Sequence, residues 1–318
     1  MPLDPHVDRF LRRLAAARDG REPSVPERRQ SLAELLSFAG MRPEVAGVRA
    51  QSVPGPAGPV PVRVYTPLTA DPRVALPGLI YFHGGGLIAG SLDSHDGICR
   101  ALTEASGCRL LAVDYRLAPE HPFPAAIDDA CAAVSGIGSR PDEFGIDPQR
   151  VAICGDSAGA TLAAVVCQQC PLSAPGTPIA LQFLLCPITD ACSDSGSRRA
   201  LAQGYFLDQA TLNNDLKSYL GPNVSPADPR VSPLRAESLA GLPPTCIHTA
   251  EFDPVRDEGA AYAERLRQAG VSVSYRCHSG MIHLFYGMGA LIPYAAAAFS
   301  MMGADIRAML VGRPECHS

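Results

Sequence analysis

The stretch Val151-Ala152-Ile153-Cys154-Gly155-Asp156-Ser157-Ala158-Gly159 decides the fold of this chain. Its first four residues are apolar, as in a buried strand, and the small residues at 160–166 favour a helix after it. Glycines stand two positions before and two positions after Ser157, where a side chain would crowd a sharp turn. We therefore predict a strand, a tight turn and a helix, with the Ser157 hydroxyl held out at the apex.

Strand-like and helix-like segments alternate on both sides of this turn, from about residue 60. Most candidate strands are continuous apolar runs, which are typical of strands covered on both faces. They span residues 60–65, 78–82, 109–114, 150–154, 179–185, 245–250 and 272–277. The helical stretches between them include residues 97–105, 125–134, 158–167 and 258–269. This alternation predicts an α/β fold, with a mainly parallel central sheet flanked by helices.

Two segments fall outside the alternation. In the first forty or so residues, apolar residues recur at helical spacing, and a capping box from Ser24 to Glu27 opens a second helix that Gly40 ends. In the second segment, 195–234, the alternation lapses and a helix is predicted over 209–220. Four residues share one face of that helix, namely Leu212, Leu216, Tyr219 and Leu220. An inserted helical segment of this kind usually lies over one end of the sheet.

Composition limits the classes of function. The 318 residues are 47% hydrophobic, which suffices for a large core in one α/β domain. The formal net charge of -5 gives no reason to expect a nucleic acid or an anionic membrane as partner. The longest apolar runs, such as 179–185, are too short to span a bilayer. The first residues lack a basic segment followed by an apolar one, so no secretion signal is predicted and a cytoplasmic location is expected.

The 11 cysteines are odd in number and irregularly spaced. Most lie in apolar segments, which favours buried, reduced thiols; these are Cys108, Cys131, Cys154, Cys186 and Cys246. Cys167 and Cys170 have the spacing of a redox motif. However, no second pair accompanies them and the context is not thioredoxin-like, so we interpret them as structural and predict no metal site.

A glycine-rich loop, His83-Gly84-Gly85-Gly86, directly follows the candidate strand 78–82. Bare glycines let main-chain N–H groups approach a negatively charged intermediate without hindrance from a side chain. The alternatives are a flexible turn and a phosphate-binding loop. The phosphate hypothesis is weak because no Lys-Ser or Lys-Thr pair follows the glycines.

A nucleophilic serine needs a base and a carboxylate that orients the base. In chains with a Gly-x-Ser-x-Gly turn of this kind, the carboxylate and then the histidine follow the serine. Asp253 comes just after the strand 245–250, at the strand end where sites form in open α/β sheets. Glu251 and Asp257 compete with it. We expect Asp257 to be the N-cap of the helix 258–269, and the turn after Glu251 favours Asp253.

Three histidines follow Asp253 and could supply the base. His317 is next to last in the chain. His278 and His283 are expected in the loop after the strand 272–277, where His278, being closer to the strand, is interpreted as an ordinary surface residue. His283 precedes Leu284-Phe285-Tyr286, which can fix it against the core, so it is the predicted base.

With these residues in hand, the chain resembles the bacterial hormone-sensitive-lipase-like esterases from about residue 81 to 286. The matching motifs are residues 83–86, 114–126, 155–159, 228–234, 253–258 and 280–283. The resemblance implies Ser157 as nucleophile, His283 as base and Asp253 as the orienting carboxylate. It also implies oxyanion donors at the backbone N–H groups of Gly85, Gly86 and Ala158, with supporting roles for His83, Gly84 and Asp156.

The resemblance further implies an α/β-hydrolase fold with a helical cap. The cap would comprise residues 1–45 and 195–235, and the catalytic domain residues 46–194 and 236–318. The expected activity is hydrolysis of short- to medium-chain acyl esters, with no cofactor and with a homodimer formed through the last strand and helix. An amidase, peptidase or acyltransferase with the same triad, or a non-catalytic ligand-binding relative, remains an alternative. Leu87, where relatives commonly carry an aromatic residue, and the absence of Trp leave the size of the substrate open.

Overall fold

The computed structural model describes residues 2–17, 21, 23–71, 73–170 and 178–311. Eight strands of these residues form one sheet in the order β1-β2-β4-β3-β5-β6-β7-β8. The strands are β1 Gly47–Gly55, β2 Gly58–Thr66, β3 Leu76–Phe82, β4 Arg109–Val113, β5 Ile146–Asp156, β6 Ile179–Leu185, β7 Thr245–Phe252 and β8 Val273–Ile282.

The sheet is parallel from β4 to β8, whereas β1 and β2 form an antiparallel hairpin that joins it through β4. The central strands β3, β5 and β6 are buried along most of their length, which explains their continuous apolar sequences. The mainly parallel α/β fold predicted from the sequence is therefore confirmed. The strand β1 was not predicted, because it is an exposed edge strand with polar residues and Pro54, and so it lacks an apolar pattern.

Helices pack against this sheet. They are α1 Pro5–Ala17, α2 Val25–Ala39, α3 Asp96–Ser106, α4 Ala125–Gly138, α5 Pro141–Phe144, α6 Ala158–Gln169, α7 Gly196–Ala200, α8 Gln209–Tyr219, α9 Arg256–Gln268 and α10 Tyr294–Val311. The capping box at the start of α2 is confirmed, with the Glu27 carboxylate accepting from the Ser24 N–H at 2.8 Å. In the described part of the chain, no helix has the length and apolar character needed to cross a membrane.

The predictions for Asp257 and Cys131 are wrong. The helix α9 begins at Arg256 with Val255 as its N-cap, so Asp257 lies in the first turn, where its charge still favours the helix N-terminus. Cys131 is not a free thiol but forms a disulfide with Cys170, which joins α4 to the end of α6. The two cysteines are 39 residues apart, and only the packing of α4 against α6 brings them together. Cys108, Cys154, Cys186 and Cys246 are buried free thiols, as predicted.

His278 is not a surface residue, because β8 continues to Ile282 and carries it into the core. Its side chain is buried and its ring nitrogens lie 2.9 Å from His248 Nδ1 and 3.0 Å from the Tyr294 hydroxyl. His248 in turn contacts Asp305, which also pairs with Arg276. Burial and the adjacent His248 lower the pKa of His278 to about 3, so His278 is neutral in the folded protein.

This buried histidine makes stability depend on pH. Its folded pKa lies below the unfolded value of about 6.5, so the unfolded chain binds more protons and stability falls as the pH drops from about 6.5 towards 3. His278→Gln should therefore flatten this fall by up to about 1.4 kcal/mol per pH unit. Urea unfolding of the wild type and the variant between neutral pH and about pH 4 measures the two slopes. Parallel curves would mean that His278 titrates normally in the folded protein.

Candidate active site

The turn predicted around Ser157 is present. The strand β5 ends at Asp156 and α6 begins at Ala158, so that Ser157 alone makes the turn, with φ 53° and ψ -123°. A non-glycine residue with positive φ is uncommon and is held there by its surroundings. The Ser157 N–H donates to the Leu185 carbonyl at 2.8 Å. A Cβ at Gly155 or Gly159 would collide with backbone atoms, which is why the turn requires glycine on both sides.

The three side chains predicted to act together lie in one hydrogen-bonded row. His283, the first residue after β8, places Nε2 at 2.8 Å from Ser157 Oγ and Nδ1 at 2.7 Å from Asp253 Oδ2. All three are buried. A carboxylate accepts hydrogen bonds, so Nδ1–H donates to Asp253 and Nε2 is left as the acceptor for the Ser157 hydroxyl. The row can therefore move the hydroxyl proton to the imidazole.

Glu251 and Asp257, which compete with Asp253 in the sequence, accept hydrogen bonds from other groups. Asp253 follows β7 and is also fixed through Oδ1, which accepts from the Val255 N–H at 3.0 Å. Glu251 accepts from the Gly280 N–H at 2.8 Å, and Asp257 accepts from the Ser197 N–H at 2.7 Å. The carboxylate that contacts His283 is thus that of Asp253. His317 lies outside the described residues.

Gly85 and Gly86 of the glycine-rich loop line the same cavity as Ser157. The loop after β3 has φ 120° at Gly85 and φ 70° at Gly86, both in the region that favours glycine. Within the part of the chain that the structure describes, no acceptor is bonded to the N–H groups of Gly85, Gly86 or Ala158. Unpaired N–H groups beside a nucleophile can stabilise a developing oxyanion.

His83, Gly84 and Asp156 hold this loop in place. The Gly84 N–H donates to Asp156 Oδ1 at 2.8 Å, and the Asp156 carboxylate also accepts from two tyrosine hydroxyls. His83 stacks on Tyr115 at 4.4 Å and contacts the Gly84 carbonyl through Nδ1 at 2.8 Å. Burial lowers the pKa of His83 to about 3, so it is a neutral bracing group. The supporting roles of the three residues stay a prediction.

Sequence reasoning missed four bracing residues around Asp156. Tyr81 and Tyr286 donate their hydroxyls to Asp156, Tyr115 donates to the His83 carbonyl at 2.6 Å, and His95 is buried with Nε2 3.8 Å from Asp156. Tyr81 lies in an apolar strand and Tyr286 near the predicted base, but neither position suggests a contact with Asp156. Only the folded chain brings them together.

Two cavities meet at the glycine-rich loop. The outer cavity, of about 750 Å³, is lined by Ser157, His283 and residues of α2 and α8, including Arg28 and Asp215. The inner cavity, of about 70 Å³, is lined in part by α8 and is mostly apolar. Its lining includes Leu87, Ile127, Leu162, Val165, Leu216 and Tyr219. Gly86 and Asp215 line both cavities, and Ala158 lines the inner one.

Two clusters of side chains carry atoms of the types that bind metals, and one of these clusters is at this site. Cys186, Asp253 and His283 bring ligand-type atoms within 4.8 Å of one another, and Cys246, His248 and Asp305 do so elsewhere. In the first group, both ring nitrogens of His283 are already hydrogen bonded to Asp253 and Ser157. In the second, His248 already contacts Asp305 and His278. These contacts account for both groups as hydrogen-bonded networks.

The chain is similar in sequence to known proteins over most of its length. Residues 79–287 match a family model described as alpha/beta hydrolase fold. The carboxylic ester hydrolase LipN of Mycobacterium tuberculosis is 44% identical over 265 residues, which cover 81% of this chain and 69% of that protein. The ethyl acetate hydrolase of Pseudomonas putida is 39% identical over 243 residues, 76% of each chain.

Solved structures extend the likeness over nearly the whole chain. An ester-hydrolase from the metagenome of Lake Arreo, complexed with a derivative of bipyridine phosphonate, superimposes with a TM-score of 0.91 at 39% identity. The match covers 98% of this chain and 100% of that one. The named relatives and this structure are all described as ester hydrolases.

Proposed function

This chain belongs to the α/β-hydrolase fold family, in the branch that resembles hormone-sensitive lipase, and we propose that it is a serine carboxylesterase with Ser157 as its nucleophile. The observation that carries the proposal is the hydrogen-bonded row from Ser157 Oγ through both nitrogens of His283 to Asp253. A base within 2.8 Å of a hydroxyl is what nucleophilic activation requires. The ester hydrolases among the relatives support the choice of substrate class.

The reaction follows from this arrangement. His283 takes the proton of Ser157 as Oγ attacks the ester carbonyl carbon, and the carbonyl oxygen gains a negative charge. His283 then returns the proton to the leaving alcohol, which leaves an acyl group on Ser157. A water molecule, deprotonated by His283, attacks the acyl-enzyme, and His283 returns this proton to Ser157 Oγ as the acid leaves. Asp253 stays ionised and holds the ring with Nε2 facing Ser157.

The negative oxygen is proposed to rest on the N–H groups of Gly85, Gly86 and Ala158. Gly86→Ala should lower kcat by about 10²–10³-fold, as the loss of an oxyanion donor does. Its φ of 70° disfavours alanine, and the added Cβ would overlap the Asp215 carboxylate, so the N–H must move. Gly221→Ala is the matched control, because a Cβ there meets nothing within 4 Å. Equal kcat values for the two variants would argue against this donor.

The cavities support esters of short acids. The oxyanion donors at Gly86 and Ala158 border the inner cavity, so the acyl chain is proposed to enter it while the alcohol leaves through the outer cavity. About 70 Å³ holds only a few heavy atoms. The name of the ethyl acetate hydrolase points to the same size range. A series of nitrophenyl esters from ethanoate to dodecanoate should give the highest kcat/KM at butanoate or hexanoate.

An amidase or an acyltransferase would use the same triad, so the assay must separate these activities. We expect the butanoate ester to be turned over and the matching anilide to react far more slowly. Adding a short alcohol as acceptor should convert only a minor part of the acyl-enzyme to the transesterified ester. Turnover of the anilide at the ester's rate, or a product that is mostly the transesterified ester, would reassign the chain to one of the alternatives.

We also propose that residues 1–45 and 195–235 form a cap over a catalytic domain made of 46–194 and 236–318. The support is that α2 and α8 both line the outer cavity above Ser157. The expected homodimer would use β8, an edge strand of the sheet, and α10 beside it. Sedimentation of the full chain measures its oligomeric state. The cytoplasmic location stays a prediction.

A further inference from the structure

The buried face of α8 carries a carboxylate where an apolar side chain is usual. Its buried residues are Leu212, Asp215 and Tyr219, at helical spacing on one side. The sequence pattern predicts Leu216 on that face, but Leu216 is only half-buried. Asp215 is 7% exposed, and acidic residues are almost never so buried unless they have a partner.

This carboxylate lies at the junction of the two cavities. It lines both of them, directly against the backbone of Gly86, whose absent Cβ would overlap Oδ2. An acyl chain whose carbonyl oxygen binds the Gly86 N–H would enter the inner cavity beside Asp215, because Asp215 lies against Gly86. In that arrangement Asp215 would contact the first few atoms of the acyl chain and not the reacting atoms.

Asp215 has few hydrogen bonds for a buried carboxylate. Among the described residues its one partner is Arg28 of α2, whose Nη2 lies 3.4 Å from Oδ2, longer than a typical N–H···O bond. An ionised carboxylate can accept about four hydrogen bonds. Burial raises the pKa of Asp215 to about 6, and Arg28 opposes this rise. Protein groups thus use only part of the acceptor capacity of Asp215, which faces the junction of the cavities.

Two other ion pairs in this protein have shorter and more numerous hydrogen bonds than the Arg28–Asp215 pair. Arg198 and Glu258, both buried, form several contacts of 3.0–3.1 Å, and Arg116 binds both oxygens of Asp129 at 2.8 Å. The Arg28–Asp215 pair has one long contact, and the Nε–H of Arg28 has no acceptor among the described residues. Its charges are balanced, but its hydrogen-bonding groups are not satisfied.

We propose that Asp215 is a specificity-determining residue that selects esters whose acyl group carries a hydroxyl near the carbonyl, with the hydroxyl donating to the Asp215 carboxylate. This inference rests on the proposed esterase function. A hydroxyl suits the site better than an ammonium group because Arg28 already balances the charge of Asp215, and a second cation would be repelled. The Tyr219 hydroxyl, one helical turn further along the inner cavity, also has no partner among the described residues and adds a second polar contact.

The test compares methyl 3-hydroxybutanoate with methyl butanoate at mildly alkaline pH, where Asp215 is ionised. The wild type should prefer the hydroxy ester by about tenfold or more in kcat/KM, since a hydrogen bond to a charged group has an effect of this order. Asp215→Leu should bring the ratio to about one or reverse it. Asp215→Asn, which keeps an acceptor without the charge, should retain part of the preference.

Lys217→Leu is the matched control, because it adds the same side chain to an exposed position of α8. It should keep the wild-type ratio. A wild type that hydrolyses both esters equally, or an Asp215→Leu variant with the wild-type ratio, overturns this inference alone. A wild type that hydrolyses neither ester, nor any nitrophenyl ester, overturns the proposed function instead. If Asp215→Leu does not fold, the ratio of Asp215→Asn replaces it, and a ratio unchanged from the wild type would overturn the inference.

Discussion

Ser157→Ala should abolish ester hydrolysis, with kcat lower by about a millionfold, as is typical when the nucleophile of a serine triad is removed. The loss is large because Ser157 Oγ forms the bond to the acyl group, and no other hydroxyl lies in the row with His283 and Asp253. Any residual rate would come from the oxyanion donors and from substrate binding alone. Initial rates with nitrophenyl butanoate measure the effect directly.

Two controls make this result specific. Ser139→Ala changes an exposed serine on the far end of α4 and should leave kcat and KM unchanged. An organophosphate should add one adduct to the wild type by intact mass and none to Ser157→Ala. If Ser157→Ala kept wild-type activity, or if the adduct formed on another serine, the nucleophile would have to be sought elsewhere.

The parts of the site that follow from local sequence were predicted closely. The turn at Ser157 and the glycine loop at 83–86 depend on backbone conformations that few residues other than glycine permit, so the residues that cause them are visible in the sequence. The order of serine, carboxylate and histidine then reduced the remaining choice to a few residues. The structure brings Asp253 and His283 together with Ser157 although they are distant in sequence.

The features that were missed depend on packing between distant segments. The burial of His278 follows from β8 continuing beyond Cys277, and no apolar pattern marks that extension. The Cys131–Cys170 disulfide depends on how α4 and α6 cross. The position of Asp215 against Gly86 depends on the rotation of α8 about its axis, and a stripe of leucines predicted a different rotation. In each case the arrangement is stabilised by contacts between segments that are distant in the sequence.

Asp253→Asn should lower kcat by about 10⁴-fold while changing KM little. The amide can still accept from the Val255 N–H, so the turn after β7 is kept. However, an amide can present its NH₂ group to His283 Nδ1, which then becomes an acceptor and places the proton on Nε2. In that tautomer Nε2 cannot take the proton of Ser157, and the positive charge that forms on the ring lacks its counter-ion.

Glu251→Gln is the matched control for this variant. It makes the same change from carboxylate to amide only two residues away, and the Gly280 N–H keeps an acceptor. We expect it to retain nearly full activity. The pair of variants separates a general loss of negative charge near β7 from a loss at the atom that orients His283. Similar kcat values for the two variants would mean that the carboxylate on His283 is not needed, and the charge of Asp253 would then serve only the fold.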